Sequence, residues 1–251
     1  GASLNTADPL LGSSVYVATT SRTITRDAGS LIDVRGGQDV DMFGAVVAGG
    51  SIGTSGVTFS GPSSSITVTA GQQVFLDSGL LASGTVTVNS GTPGADDTLA
   101  ALFPSKTLPI ADGNDRLSLV ITTAGGITTA GMTTDNSGGG IVLNAAGNIE
   151  ILGSLNAGAN VTQSFDAHGN FLGETATYSS EPATLTINAD GRAFLGGHTL
   201  NQGGDLVQTG TFLRAAHAMT IHGGAYRTGE GLLVHAASEL TVNNPNGSML
   251  L

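Results

Sequence analysis

One pattern, met again and again along the chain, limits what it can fold into. It is clearest at residues 141–157, which read IVLNAAGNIEILGSLNA. Ile141, Leu143, Ile149, Ile151 and Leu155 are apolar, and Ala145, Gly153 and Ala157 are small. Alternation with period 2, a small residue, a tight turn and a second alternation describe two short β-strands with one face toward a core. The template fits at seven starts: Ile32, Ile66, Leu119, Ile141, Leu185, Thr211 and Leu232. In every fit the second strand begins eight residues after the first, and Gly, Ala or Thr precedes the turn.

Starts at Thr211 and Leu232 are 21 residues apart, and those at Leu119 and Ile141 are 22 apart. One unit therefore holds two to three short strands. Such a unit cannot bury its apolar face alone, but stacking units at roughly 4.8 Å does so. The fold class expected is all-β, a right-handed parallel β-helix (solenoid) with loop and β-hairpin insertions, forming a single domain over residues 1–251. Asn144, Asn148, Asn188 and Asp190 at the bends suit tight turns. In this register Ile149 stacks on Ile127, and is kept from stacking directly on Ala193 if residues 161–183 add a coil of their own.

The segments between units break the pattern in different ways. Residues 13–25 read as one more irregular coil, and glycine-rich 47–64 as a partial coil around Val57-Thr58-Phe59. Residues 91–115 hold Pro93, Pro104 and Pro109 and read as a surface loop, with Asp96 or Asp97 able to cap a short helix through Leu102. Residues 161–183 read as a projecting hairpin: Val161, Gln163 and Phe165, a turn at Asp166–Asn170, then Phe171, Thr175 and Thr177. Phe103, Phe165, Phe171 and Tyr178 lie in these insertions, as a satellite core or as a contact surface; the first is the commoner use of loop aromatics.

Composition narrows the chemistry. Glycine is 39 of 251 residues, roughly twice the usual share, and aromatics are 4%, so the core must be aliphatic and narrow. The net charge is −11 with only 8 basic residues, and these are scattered, which argues against nucleic acid and anionic membrane surfaces. No apolar run reaches the length of a membrane-spanning helix, so no membrane insertion is expected. Cysteine is absent, which removes disulfides and thiolate chemistry. No signal peptide is legible, and the start at Gly1 reads as the edge of a mature fragment.

The iterated coils, such as LTINADGRAFLGG at 185–197 and IVLNAAGNIEILGS at 141–154, resemble the filamentous haemagglutinin family of bacterial exoproteins. The resemblance covers most of residues 29–247. Asn244–Gly247 (NPNG) is similar to a motif of the family's secretion domain, but Ser248 follows where Ile or Val is usual. The resemblance implies a secreted, cell-surface fibre segment, exported through an outer-membrane partner by two-partner secretion. It also implies a structural or adhesive role in adhesion, display or biofilm, with a surface receptor or glycan as partner. A rod with open ends further predicts end-to-end or lateral self-association.

The alternative is a polysaccharide lyase or glycosidase, or a glycan-binding module, on the same scaffold. Such enzymes need clustered carboxylates, often with Ca²⁺ and a basic residue. Asp33, Asp39 and Asp41 are the best candidates, but one unit later the equivalent positions are Thr67, Gln73 and Phe75. His168, His198, His217, His222 and His235 fall at different corners of the template, so no metal site is assigned. The glycine runs at 49–56 and 203–210 lack the Asp of a calcium-binding nonapeptide repeat. Threonine pairs at 66–69 and 85–88 suggest an ice-binding ladder, but are not expected to continue in register. No catalytic, cofactor-binding or metal residue is assigned, and the chain is not expected to be an enzyme.

Overall fold

The computed structural model describes residues 14–17, 22–53, 56–91, 117–122, 125–132, 139–190, 193–195, 198–202, 205–209, 212–222, 226–228, 233–236 and 238–243. These residues form an all-β structure of three parallel sheets, each of seven strands, with three antiparallel hairpins. The first sheet contains Val15–Val17, Val40–Met42, Val74–Leu76, Leu117–Ile121, Asn148–Ile151, Ala193–Leu195 and Tyr226–Thr228. The second contains Thr23–Thr25, Val46–Ala48, Gly79–Ala82, Gly126–Thr129, Ser154–Ala157, Phe212–Ala215 and Leu233–Ala236. The third contains Leu31–Gly36, Ser65–Ala70, Thr85–Ser90, Gly140–Ala145, Thr184–Ala189, Ala218–His222 and Glu239–Asn243.

The chain visits the sheets in a fixed order, third, first, second, and then returns beside its own previous strand. Each circuit therefore lays like residues on like. Ile32, Ile66, Val86, Ile141, Leu185 and Met219 are consecutive partners in the third sheet, and Val34, Val68, Val88, Leu143, Ile187 and Ile221 run beside them. Val40, Val74, Leu119, Ile149 and Ala193 do the same in the first sheet. Val46, Leu80, Ile127, Leu155 and Leu213 do so in the second. All of these belong to one buried cluster, which is why aliphatic residues suffice and rings are scarce.

Small residues form two further columns where the chain bends. Gly36, Ala70, Ser90, Ala145 and Ala189 end the third-sheet strands. Thr25, Ala48, Ala82, Thr129, Ala157 and Ala215 end those of the second. At Gly153 the reason is steric, since a Cβ there would press into the carbonyl oxygens of Gly125 and Thr122 one circuit away. The bend between second and third sheets also buries a ladder of serines. The Ser30 backbone N–H donates to Ser64 Oγ at 3.1 Å, and that of Ser64 to Ser83 Oγ at 3.1 Å. All three are almost fully buried, so these hydrogen bonds satisfy groups that water does not reach.

The structure corrects the register expected from sequence. Ile149 is fully buried, but it pairs with Leu119 and Ala193; Ile127 pairs instead with Leu155. The fits at Ile32, Ile66, Ile141 and Leu185 begin on third-sheet strands. The fit at Leu119 begins on the first sheet, and those through Leu213 and Val234 lie on the second. Thr85–Ser90, between Ser65–Ala70 and Gly140–Ala145, is the strand those fits passed over. Thr199, the last template position of the fit that starts at Leu185, lies in a hairpin, His198–Gln202 with Asp205–Thr209.

Residues 47–64 hold a hairpin, Gly50–Gly53 with Gly56–Phe59, and not a partial coil. The hairpin in 161–183 is present and longer, Ala159–Phe165 with Phe171–Tyr178, and adds no strand to the three sheets. Its turn is built on Asp166, whose Oδ1 accepts the backbone N–H groups of His168 and Asn170 at 2.8 Å. In 13–25, Val15–Val17 and Thr23–Thr25 supply one strand each to the first and second sheets. The expected loop at 91–115 and its helix lie outside the described residues, apart from Gly91.

Candidate functional site

Two of the hairpins leave the chain at the same bend, between second and third sheets, three circuits apart. They stand over the outer face of the second sheet and enclose a cleft of about 660 Å³. Its floor includes Leu81, Thr128 and Met132. One wall is Val57 and Phe59 of the first hairpin; the other is Asn160, Val161, Thr162, Thr177 and Tyr178 of the second. That volume falls in the range of small-molecule sites, roughly 300–1,000 Å³.

The outer column of the second sheet explains how the floor is held. Val47, Leu81, Thr128, Asn156 and Arg214 are successive partners there. Asn156 and Arg214 are buried, at 7% and 4% exposure. Arg214 Nη1 donates to Asn156 Oδ1 at 3.1 Å, and Asn156 Nδ2 donates to Thr128 Oγ1 at 3.4 Å. Thr128 Oγ1 thus accepts a hydrogen bond from its neighbour in the column, and Thr128 lines the cleft. The neighbouring Thr129 hydroxyl accepts the Gly158 backbone N–H at 3.2 Å, which ties the root of the second hairpin to the sheet.

The carboxylates singled out in the sequence do not converge. Asp33 lies on the third sheet, paired with Arg35 at 2.8 Å. Asp39 lies in the bend, where its carboxylate accepts the Gln73 backbone N–H at 3.2 Å and the Ser14 hydroxyl at 3.4 Å. Asp41 lies on the outer face of the first sheet, between Tyr16 and Phe75 in register. The rings of Tyr16 and Phe43 are 5.2 Å apart, and those of Phe43 and Phe75 are 5.5 Å apart. Among these rings burial, helped by the charge of Asp39, raises the Asp41 carboxyl from 3.8 to about 6. Asp41 Oδ1 is buried with no hydrogen-bond partner among the described residues. Asp41 is thus a half-buried acid in an apolar patch, while Asp39 is engaged in the bend by Gln73 and Ser14.

Of the histidines, His168 is on the second hairpin's turn, His217 between second and third sheets, His222 on the third and His235 on the second. The described residues contain no group of three or more metal-ligating side chains, and no helix among them is long and apolar enough to cross a membrane. Phe165 and Tyr178 are exposed, so neither is enclosed as a satellite core would enclose it.

On the outer face of the third sheet one threonine position recurs, Thr67, Thr87, Thr186, Thr220 and Thr241 standing in one column that is interrupted at Val142. The companion position does not remain threonine: Thr69 is followed by Asn89, Asn144 and Asn188. The amides form a ladder, with Asn144 Nδ2 donating to Asn89 Oδ1 and Asn188 Nδ2 to Asn144 Oδ1, both at 2.9 Å.

No protein-family model, curated protein or solved structure matches the chain. The cleft was not legible in the sequence because its walls come from hairpins about a hundred residues apart. The only signal was the aromatic content of the second hairpin.

Proposed function

We propose that the chain is a right-handed parallel β-helix serving as a rigid structural or adhesive segment of a secreted bacterial surface fibre. The supporting observation is the register: three seven-stranded parallel sheets in which each circuit stacks on the last. Seven strands at ~4.8 Å give a sheet about 29 Å long, stiffened by hydrogen bonds along its length. Its third face offers threonine and asparagine, which suits lateral contact without charge repulsion. The separation of Asp33, Asp39 and Asp41 weakens the alternative, a polysaccharide-active enzyme.

In this reading export uses an outer-membrane partner, and the working partner is a receptor or glycan on a host or bacterial surface. The test is to delete residues 139–217, two whole circuits, in frame from the protein of the producing bacterium, then image the cells and count those adhering. Shorter surface fibres with reduced adhesion support the reading. Unchanged fibres and adhesion, or an intracellular location of the intact protein, overturn it.

A further inference from the structure

We infer that the cleft between the hairpins at 50–59 and 159–178 is a binding site for a neutral saccharide, a short stretch of uncharged glycan. The inference rests on the reading of this chain as a surface segment and names the ligand class its cleft would take. Four observations lead there.

Among the described residues the cleft is lined by no acidic or basic side chain. Its polar groups include the hydroxyls of Thr128, Thr162, Thr177 and Tyr178 and the amide of Asn160, which suit a neutral ligand rich in hydroxyls. An ionic ligand would lose its hydration without gaining a countercharge, and the net charge of −11 disfavours anions further.

Apolar faces accompany these groups. Phe59 and Tyr178 stand on opposite walls, with Leu81 on the floor. A pyranose has one face of C–H groups and a rim of hydroxyls, so it can lie on a ring and still reach threonine and asparagine. Tyr178 is 36% exposed, which leaves it open to such a contact.

The floor is also preorganised. Buried Arg214 orients Asn156, and Asn156 donates to Thr128. With its oxygen engaged as an acceptor, the Thr128 hydroxyl has its own proton to donate to a ligand acceptor. Arg214 acts through this relay and is a positioning residue.

Finally, the site is held at both ends. The second hairpin joins the sheet through Gly158, whose N–H donates to the Thr129 carbonyl at 2.9 Å. The Ser179 N–H in turn donates to the Gly158 carbonyl at 2.7 Å. The cleft walls are thus anchored where they leave the core.

The experiment uses the full 251-residue chain on an array of neutral, sialylated and sulfated oligosaccharides, followed by titration calorimetry with the strongest neutral glycan. The expected result is retention of neutral glycans in preference to their sialylated or sulfated forms. Tyr178→Ala is expected to weaken binding at least tenfold, and Thr128→Val several-fold. Tyr16→Ala, an exposed ring on a different sheet, is expected to leave it unchanged. No retained glycan, a preference for anionic glycans, or binding indifferent to both Tyr178→Ala and Thr128→Val overturns the inference. The fibre deletion separates the two proposals: shortened surface fibres together with no retained glycan sink the cleft and spare the rod, whereas unchanged fibres and adhesion sink the rod.

Discussion

Replacing Asp41 by Asn is expected to stabilise the protein, and only above a certain pH. The carboxyl sits between Tyr16 and Phe75 on the first sheet, with Oδ1 buried and unpartnered among the described residues. Burial first, and the charge of Asp39 second, raise it from 3.8 to about 6. A carboxyl raised on folding favours the folded state below its unfolded value and loses that contribution as pH climbs through about 6. At neutral pH the ionised group is therefore a cost. The rise corresponds to at most ~3 kcal/mol at 1.36 kcal/mol per pH unit. Half-exposure and solvent screening reduce this to roughly 1–2 kcal/mol.

Asparagine keeps the shape and removes the charge. At pH 7.5 the Asp41→Asn variant should melt about 2–8 °C above the parent, at the 2–4 °C per kcal/mol usual for this length. At pH 4 most of the difference should be gone, because Asp41 is then protonated in the folded state and only partly ionised in the unfolded one. Differential scanning calorimetry of both proteins from pH 4 to 8 reads this directly, and taking the difference cancels the other carboxylates. A variant no more stable at pH 7.5, or a gain of the same size at pH 4, refutes the assignment of a buried charge.

Three further substitutions probe the stack. Gly153→Ala drives a methyl into the Gly125 and Thr122 carbonyls and should cost more than the ~1–3 kcal/mol of ordinary overpacking, seen as a lowered urea midpoint; an unchanged midpoint contradicts the tight bend. Ile141→Ala empties a fully buried place between Val86 and Leu185 and should cost about 2–5 kcal/mol in the same melt, whereas a loss under about 1 kcal/mol puts the side chain outside the core. Asn144→Ala removes the middle of the amide ladder, where each neutral bond is worth about 1 kcal/mol, so chemical denaturation should show a loss of 1–2 kcal/mol; no loss means that solvent replaces the ladder.

The all-β class, the parallel stacking and the aliphatic core could be read from alternation and small residues. The register could not. Every sheet in this structure wants apolar residues at alternate positions, so the template matched strand pairs at any corner. At Leu119 it began on the first sheet, and around Leu213 and Val234 on the second. Thr85–Ser90 escaped because its exposed positions are Thr85, Thr87 and Asn89, which read as a threonine pair and not as a unit. Hairpins were legible only where a turn sequence announced itself: Asp166–Asn170 did, while His198–Thr209 continued the local alternation. The elevated Asp41 depends on Tyr16 and Phe75, residues from neighbouring circuits, and the floor at Thr128 depends on Asn156 and Arg214. Both sites exist only through strand partners that local sequence does not name.

The central claim is that the chain returns to the same columns on every circuit. Its most direct test is the distance between two spin labels, straightforward here because the protein has no cysteine. Thr67 and Thr220 occupy one column on the outer face of the third sheet, four strand spacings apart through Thr87, Val142 and Thr186. With Thr67→Cys and Thr220→Cys labelled, double electron–electron resonance should give a narrow distribution near ~19 Å at ~4.8 Å per spacing. A distribution centred beyond about 30 Å, or too broad to define a single distance, contradicts the stacked register.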